Sequence, residues 1–196
     1  MKTKITLFII CCLSFVSCKT YNAMEKVPLN TAFQKLPNLE LKLDEASFIA
    51  VAGNNVTNGY ITTIFRSDMY NNFVENNGKP VGRIVCRAVS GSSKTRFVGL
   101  SILSGLTLCT LNLFGMPFGF TKSKMSIACD IYDENDNLLA SYISAEHSVK
   151  KYAAMYYGYY DWEIVAPAES FRLCIEDINR MISANYKYLL DNLNKK

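Results

Sequence analysis

The chain has little of what most catalytic sites require. His147 is its single histidine in 196 residues, so metal sites built on several histidines and Ser-His-Asp catalysis are disfavoured. With only 10 glycines and 5 prolines, it is neither collagen-like nor a proline-rich linker. Charged residues make up 19% and apolar residues 49%, which excludes an intrinsically disordered protein. Lysine and arginine are spread along the sequence without a basic stripe, which argues against nucleic acid as a partner.

The N-terminus resembles an export signal. Two lysines precede an uncharged run over residues 5–16, which is long enough for a signal peptide but too short to span a bilayer. Phe15-Val16-Ser17-Cys18 is similar to a bacterial lipobox, in which the cysteine receives lipid after cleavage. Ordinary secretion and an uncleaved anchor are the alternatives. Lys19 stands where aspartate would signal inner-membrane retention, which favours the outer membrane.

The remaining cysteines form no recognisable metal or redox motif. There is no C-x-x-C, so a thioredoxin-like or zinc-ribbon site is not expected. Four cysteines remain beyond the lipobox, and their spacing leaves open whether they are buried thiols or include a disulfide. They are Cys86, Cys109, Cys129 and Cys174.

Hydrophobic periodicity predicts an α+β domain. Strands are expected over residues 39–43, 47–52, 81–89 and 124–132, with a loop at residues 91–93. A hairpin turn at residues 133–137 leads into a returning strand over residues 138–149. Helices are expected over residues 61–75 and from Pro167 to the C-terminus. The predicted fold is a mixed or antiparallel sheet with two helices on one face, in the order β-α-β-insert-β-β-α, lipid-anchored.

The motifs that resemble catalytic or metal sites are incomplete. Residues 90–95 lack the spacing of a phosphate-binding loop, and S-x-x-K at residues 148–151 has no supporting second motif. Residues 133–137 lack the glycine and glutamate of a calcium loop. His147 and Glu146 are adjacent on a predicted strand, so they are expected to point to opposite faces. No catalytic residue, metal or cofactor is therefore predicted, apart from the covalent lipid on Cys18.

Two segments are the best candidates for contact with membrane or partner. Residues 99–120 carry no charge. The basic residues on either side of them, Lys94, Arg96, Lys122 and Lys124, could be attracted by anionic head groups. This segment is either buried core, a membrane wedge or a docking surface. Residues 152–162 hold six aromatics, which suit an interface, a glycan platform, a membrane-surface belt or a core-covering loop. The contact candidates are Leu106, Leu108, Leu111, Leu113, Phe114, Met116, Phe118, Phe120, Tyr156, Tyr157, Tyr159, Tyr160 and Trp162.

Three sequence features together resemble a group of uncharacterised lipoproteins from Bacteroidetes. They are the run from Leu106 to Pro117, the acidic turn at residues 133–137, and Ala154-Met155-Tyr156-Tyr157-Gly158-Tyr159 before a C-terminal helix. The resemblance covers residues 80–185 and the lipobox, and implies no established activity. The order of elements is also similar to small envelope assembly lipoproteins, such as the partner of the lipopolysaccharide translocon.

The sequence therefore predicts a signal peptide over residues 1–17, a lipidated tether over residues 18–45 and one domain over residues 46–196 with an apolar insert at 97–120. The expected function is that of a non-catalytic outer-membrane lipoprotein, an accessory or assembly component of an envelope complex with a protein partner. The alternatives are a membrane-perturbing or pore-forming subunit that inserts residues 97–120, and a surface glycan-binding lipoprotein. The oligomeric state is left open.

Overall fold

The protein folds as a five-stranded mixed sheet with helices packed on one of its faces. The computed structural model describes residues 34–52, 55–96, 117, 119–153 and 161–194. The predicted signal peptide, the lipobox cysteine, Cys109 and most of the apolar insert lie outside these residues. The elements, in chain order, are β1 (Glu40–Leu43), α1 (Glu45–Ala52), α2 (Asn55–Asn72), β2 (Gly82–Arg96), β3 (Gly119–Asp133), β4 (Leu138–Ile143), β5 (His147–Ala153), α3 (Asp161–Ala184) and α4 (Tyr186–Leu193).

Strand β3 organises the sheet. It pairs antiparallel with β2 along one side, while β4 and β5 pair antiparallel with successive halves of its other side. Strand β1 adds to the outer side of β2 in parallel. A parallel neighbour needs a crossover connection, and α1 and α2 provide it. The predicted α+β fold class with a mixed sheet is confirmed.

The core lies between the sheet and the helices. The odd-numbered residues of β3 from Met125 to Ile131 face it, and α3 buries Phe171, Cys174 and Ile175 against them. The Phe171 ring also makes edge-on contacts with Phe48 of α1, at a centroid distance of 5.6 Å, and with Phe65 of α2, at 6.5 Å. Phe171 therefore joins three helices in one cluster.

Residues 47–52 form a helix, so the strand predicted there is wrong. A short apolar run does not distinguish a strand from a buried helix by periodicity. The parallel pairing of β1 with β2 requires the chain to leave the sheet after Leu43, and the Ser47 hydroxyl closes the first turn of α1 by donating to the Asp44 carbonyl at 2.7 Å. The same hydroxyl oxygen accepts the Ala88 amide of β2 at 2.9 Å, which ties α1 to the sheet.

The loop predicted at residues 91–93 is also wrong, because β2 continues through it to Arg96 after a register shift between Ala88 and Ser90. Glycine at position 91 is required by packing, since a Cβ there would collide with the Val51 side chain of α1.

The returning strand predicted over residues 138–149 is divided into β4 and β5. The predicted hairpin between β3 and the strand after it is confirmed.

Several element boundaries differ from their predicted positions. Helix α3 begins at Asp161, so Pro167 lies inside it rather than at its start. Proline removes one backbone hydrogen bond from the helix. Burial of Val165, Ala166 and Ala168 on either side of it compensates for that loss. At the end of the predicted apolar insert, residues 119 and 120 belong to β3. In the lead-in, Leu36, Leu39 and Leu41 are buried, so the chain joins the core before residue 46.

Candidate functional site

A basic pocket of about 570 Å³ lies on the sheet face opposite the helices. Side chains alternate between the two faces of a strand, so the residues between the core positions of β2, β3 and β5 point to this side. The residues that line the pocket are here called the basic face: Ser92, Lys94, Arg96, Phe120, Lys122, Lys124 and Lys150. Five cations thus converge on one end of the sheet.

The centre of the basic face is a row of three lysines on three adjacent strands. Lys94 is directly opposite Lys122, which in turn is directly opposite Lys150. Neighbouring strands are about 4.8 Å apart, so the row is roughly 10 Å wide. All three side chains are exposed. Like charges directly opposite one another destabilise a sheet, so this row of lysines does not stabilise the fold. Such a concentration of exposed positive charge is typical of a surface that binds anions.

Carboxylates neutralise little of this charge. Lys124 pairs with Glu146 at 2.9 Å. Within the ranges that the structure describes, Lys94, Lys122 and Lys150 form no ion pair with a carboxylate, and neither does Arg96. The contrast with the other face is sharp, because Lys151 points to the opposite side of β5 and pairs there with Glu169 at 2.6 Å. The basic face therefore keeps a net positive charge available to a ligand.

Aromatic rings form one side of the pocket. Phe120 is directly opposite Tyr152, and their ring centroids are 6.1 Å apart. The ammonium of Lys150 lies 4.0 Å from the centroid of Phe120 and 4.7 Å from that of Tyr152, within the range of cation–π attraction. Tyr152 is 51% exposed. The face thus combines positive charge with a partly exposed aromatic surface.

The basic face lies at the end of the sheet from which both candidate contact segments begin. Strand β2 ends at Arg96, which is opposite Phe120 near the start of β3, so residues 97–118 connect two adjacent strand ends. Strand β5 ends at Ala153, which is opposite Gly119, and the aromatic segment continues from there. The apolar and aromatic segments therefore both join the domain beside the exposed lysines.

Most of the predicted contact residues lie outside the described part of the chain. Among them, Phe120 is the residue whose side chain is described, and it lies in the basic pocket. Trp162 belongs to the first turn of α3. The remaining candidates fall within residues 97–116, residue 118 and residues 154–160, and the predicted lipidation site Cys18 also lies outside the described residues.

The basic residues are scattered along the sequence, but strand pairing brings five of them together in three dimensions. In the sequence, Lys94, Arg96, Lys122 and Lys124 flank the apolar segment, whereas Lys150 lies more than twenty-five positions away from them. The sequence signal for this cluster is the pattern of every second residue in three segments. These residues are Ser92, Lys94 and Arg96 in the first segment, Phe120, Lys122 and Lys124 in the second, and Ser148, Lys150 and Tyr152 in the third. Each segment presents one face of one strand, and only the pairing of the strands brings them together.

The acidic segment at residues 133–137 is the predicted hairpin turn. One carboxylate oxygen of Asp133 accepts the backbone amides of Asn135 and Asn137, both at 2.8 Å, and the other accepts the Asn137 side-chain amide at 2.9 Å. Hydrogen bonds from the side chain and then the backbone of Asn137 hold the pKa of Asp133 below its usual range. The carboxylate is therefore used by the turn itself rather than directed at a cation.

His147 and Cys174 lie close to one acidic residue but do not form a nucleophilic site. The His147 imidazole Nε2 is 2.6 Å from the Asp177 carboxylate, while Glu146, which precedes β5, pairs with Lys124. Burial raises the pKa of the Cys174 thiol to about 11, and the thiol donates to the Met125 carbonyl at 3.2 Å. A buried, protonated thiol is a poor nucleophile.

Neither a metal cluster nor a membrane-spanning helix is found in the part of the chain that the structure describes. No three histidine, cysteine, aspartate or glutamate side chains of that part are grouped so as to hold a metal ion. None of its helices combines the length and apolar character needed to cross a bilayer.

Neither a protein-family model nor a curated protein matches the sequence. Among solved structures, the chain is similar to a neuraminyllactose-binding hemagglutinin homolog from Helicobacter pylori, with a TM-score of 0.42, 8% identity and coverage of 87% of this chain and 97% of that one. It is also similar to a minor lipoprotein from Acinetobacter baumannii, with a TM-score of 0.32, 12% identity and coverage of 79% and 93%. Lipoprotein B from Nitrosomonas europaea has a TM-score of 0.31 at 14% identity, with coverage of 85% and 96%. TM-scores of this size assign no function to the chain.

Proposed function

We propose that the protein is a non-catalytic lipoprotein of the outer membrane whose basic face binds the anionic head groups of the membrane that carries it. The observation that carries this proposal is the row formed by Lys94, Lys122 and Lys150, which is exposed and lacks carboxylate partners among the described residues. Lysines near an anionic bilayer contribute about 1 kcal/mol each to binding. The lipobox supplies the covalent anchor, since Cys18 would carry the lipid.

The aromatic pair beside the lysines supports a membrane surface as the ligand. Phe120 and Tyr152 present ring surface next to the cations, and amphipathic rings are enriched where hydrocarbon meets head groups. The uncharged residues 99–116 and the aromatic residues 154–160 join the domain at this same end. Binding through this face directs the helical layer away from the bilayer, where it is accessible to a protein partner. We therefore favour an accessory role in an envelope complex.

Flotation with lipid vesicles tests the head-group proposal without the covalent anchor. The chain is produced from residue 19 onwards, so that Cys18 and its lipid are absent, and is mixed with phosphatidylcholine vesicles with or without phosphatidylglycerol. We expect flotation with the anionic vesicles, weak flotation with the neutral ones, and release at high salt, because salt screens the attraction.

Two outcomes contradict this proposal. Equal flotation with neutral and anionic vesicles, unaffected by salt, would assign the contact to the apolar segment alone and favour the membrane-inserting alternative. A folded chain that stays at the bottom of the gradient with both kinds of vesicle would remove lipid as the ligand of the basic face.

A further inference from the structure

Two of the cysteines whose pairing the sequence leaves open face each other across the middle of the sheet. Cys86 of β2 is directly opposite Cys129 of β3 in the antiparallel register, and both are 0% exposed on the core face. We propose that Cys86 and Cys129 form a cross-strand disulfide when the chain folds in an oxidising compartment. The structure contains them as free thiols, which is the reduced form of the same pair.

The backbone geometry fits such a bond. Residues directly opposite in an antiparallel pair have Cα atoms about 4.5 or 5.5 Å apart, depending on their hydrogen bonding. A disulfide requires about 4.4 to 6.8 Å between the Cα atoms, and side chains on the same side of the sheet. Cys86 and Cys129 meet both conditions, so the bond requires no change of register.

Cys174 is less well placed as a partner. Its thiol donates to the carbonyl of Met125, which is four residues before Cys129 on the same strand. The same thiol also interacts with the backbone of Ile127, so the backbone of β3 already satisfies it. Cys86 and Cys129, which are directly opposite in the strand register, are therefore the favoured connection.

The bond forms by thiol–disulfide exchange with a low-molecular-weight or protein disulfide as oxidant. The thiolate of one cysteine attacks a sulfur of the donor, which releases one donor thiolate and leaves a mixed disulfide. The thiolate of the second cysteine then attacks the first cysteine's sulfur, and the other donor thiolate leaves. The two cysteines are oxidised, the donor disulfide is reduced to two thiols, and the protons lost by the cysteines are taken up by the donor thiolates.

The burial of the pair determines when this exchange occurs. Loss of solvent raises the pKa of Cys86 well above its ordinary value, so the reactive thiolate is scarce once the core has closed. Both sulfurs are also inaccessible to a donor in the folded protein. The disulfide therefore forms during folding, and it links the two strands that continue to Lys94 and Lys122 of the basic face.

The test is refolding of the full chain from the reduced, denatured state in a buffer of oxidised and reduced glutathione. Free thiols are then alkylated under denaturing conditions, and tryptic peptides are analysed without reduction. Cleavage after arginine and lysine places Cys86 in peptide 84–87, Cys109 in 97–122, Cys129 in 125–150 and Cys174 in 173–180, while Cys11, Cys12 and Cys18 share peptide 5–19. We expect peptide 84–87 linked to peptide 125–150 as the main disulfide product.

The proposal is overturned if peptides 84–87 and 125–150 are both alkylated in the folded product, or if either is linked mainly to another peptide. A second measurement uses the Cys86→Ala/Cys129→Ala variant, with Cys174→Ala as the control. Reduction is expected to lower the thermal midpoint of wild type and of Cys174→Ala, and to leave that of the double variant unchanged. Because refolding in glutathione does not depend on export or on vesicles, its failure would leave the proposed function standing.

Discussion

Replacement of Phe171 by alanine is expected to lower the free energy of unfolding by about 3–5 kcal/mol, the usual loss for a buried phenylalanine. Phe171 is 0% exposed, and its ring contacts Phe48 and Phe65 of the two crossover helices. Its removal leaves a cavity where α1, α2 and α3 meet. The loss is a large fraction of the stability of a typical domain, which is about 5–15 kcal/mol. Urea denaturation followed by circular dichroism measures it.

The matched control is Leu173→Ala on the same helix. Leu173 is 38% exposed, so its truncation removes little packing, and we expect a change within about 1 kcal/mol. The two substitutions have similar effects on helix propensity but differ in burial. A small loss for Phe171→Ala, close to that for Leu173→Ala, would show that the cluster does not hold the helices on the sheet.

The variant Lys94→Gln/Lys122→Gln is expected to bind anionic vesicles about 30-fold more weakly than wild type. Each lysine near an anionic surface contributes about 1 kcal/mol, and 2 kcal/mol corresponds to a factor of about 30 in the binding constant. The two side chains are directly opposite each other, with no carboxylate partner in the described part of the chain. Titration of the unlipidated chain with phosphatidylglycerol vesicles gives the ratio of the two binding constants.

The same variant is expected to keep or slightly raise the free energy of unfolding. Its substitutions remove a repulsion between directly opposite like charges, so weaker binding is not explained by loss of the fold. The control Lys79→Gln/Lys187→Gln changes the net charge by the same amount at two other exposed positions. It is expected to bind almost as wild type does. Equal losses in the two double variants would mean that net charge, rather than the basic face, determines binding.

The elements that local pattern determines could be predicted from the sequence. The alternation of Leu39, Leu41 and Leu43 predicts β1, and the polar residues 133–137 predict the turn between β3 and β4. Residues 47–52 could not be assigned in the same way, because a buried helix and a buried strand are both short apolar runs. The deciding factor is the parallel pairing of β1 with β2, which is a property of the tertiary fold.

The basic face could not be predicted from the sequence for a similar reason. Lys94, Lys122 and Lys150 are spread over more than fifty positions of the sequence, so no window along the chain contains a basic cluster. Strand register brings them into one row. The period-two alternation in each segment shows which side chains share a face, but not which strands are neighbours. The segment that resembles a lipobox, by contrast, is contiguous and can be recognised without the fold.

Lysine acetylation footprinting on vesicles tests, without any mutation, whether the row of lysines contacts the membrane. The unlipidated chain is acetylated briefly with and without phosphatidylglycerol vesicles, and modification at each lysine is measured by mass spectrometry. We predict that Lys94, Lys122 and Lys150 are protected when the vesicles are present, while Lys79 and Lys187 react as they do in solution. Unchanged reactivity of the three row lysines on vesicle-bound protein, or protection of Lys79 and Lys187 instead, would contradict the account.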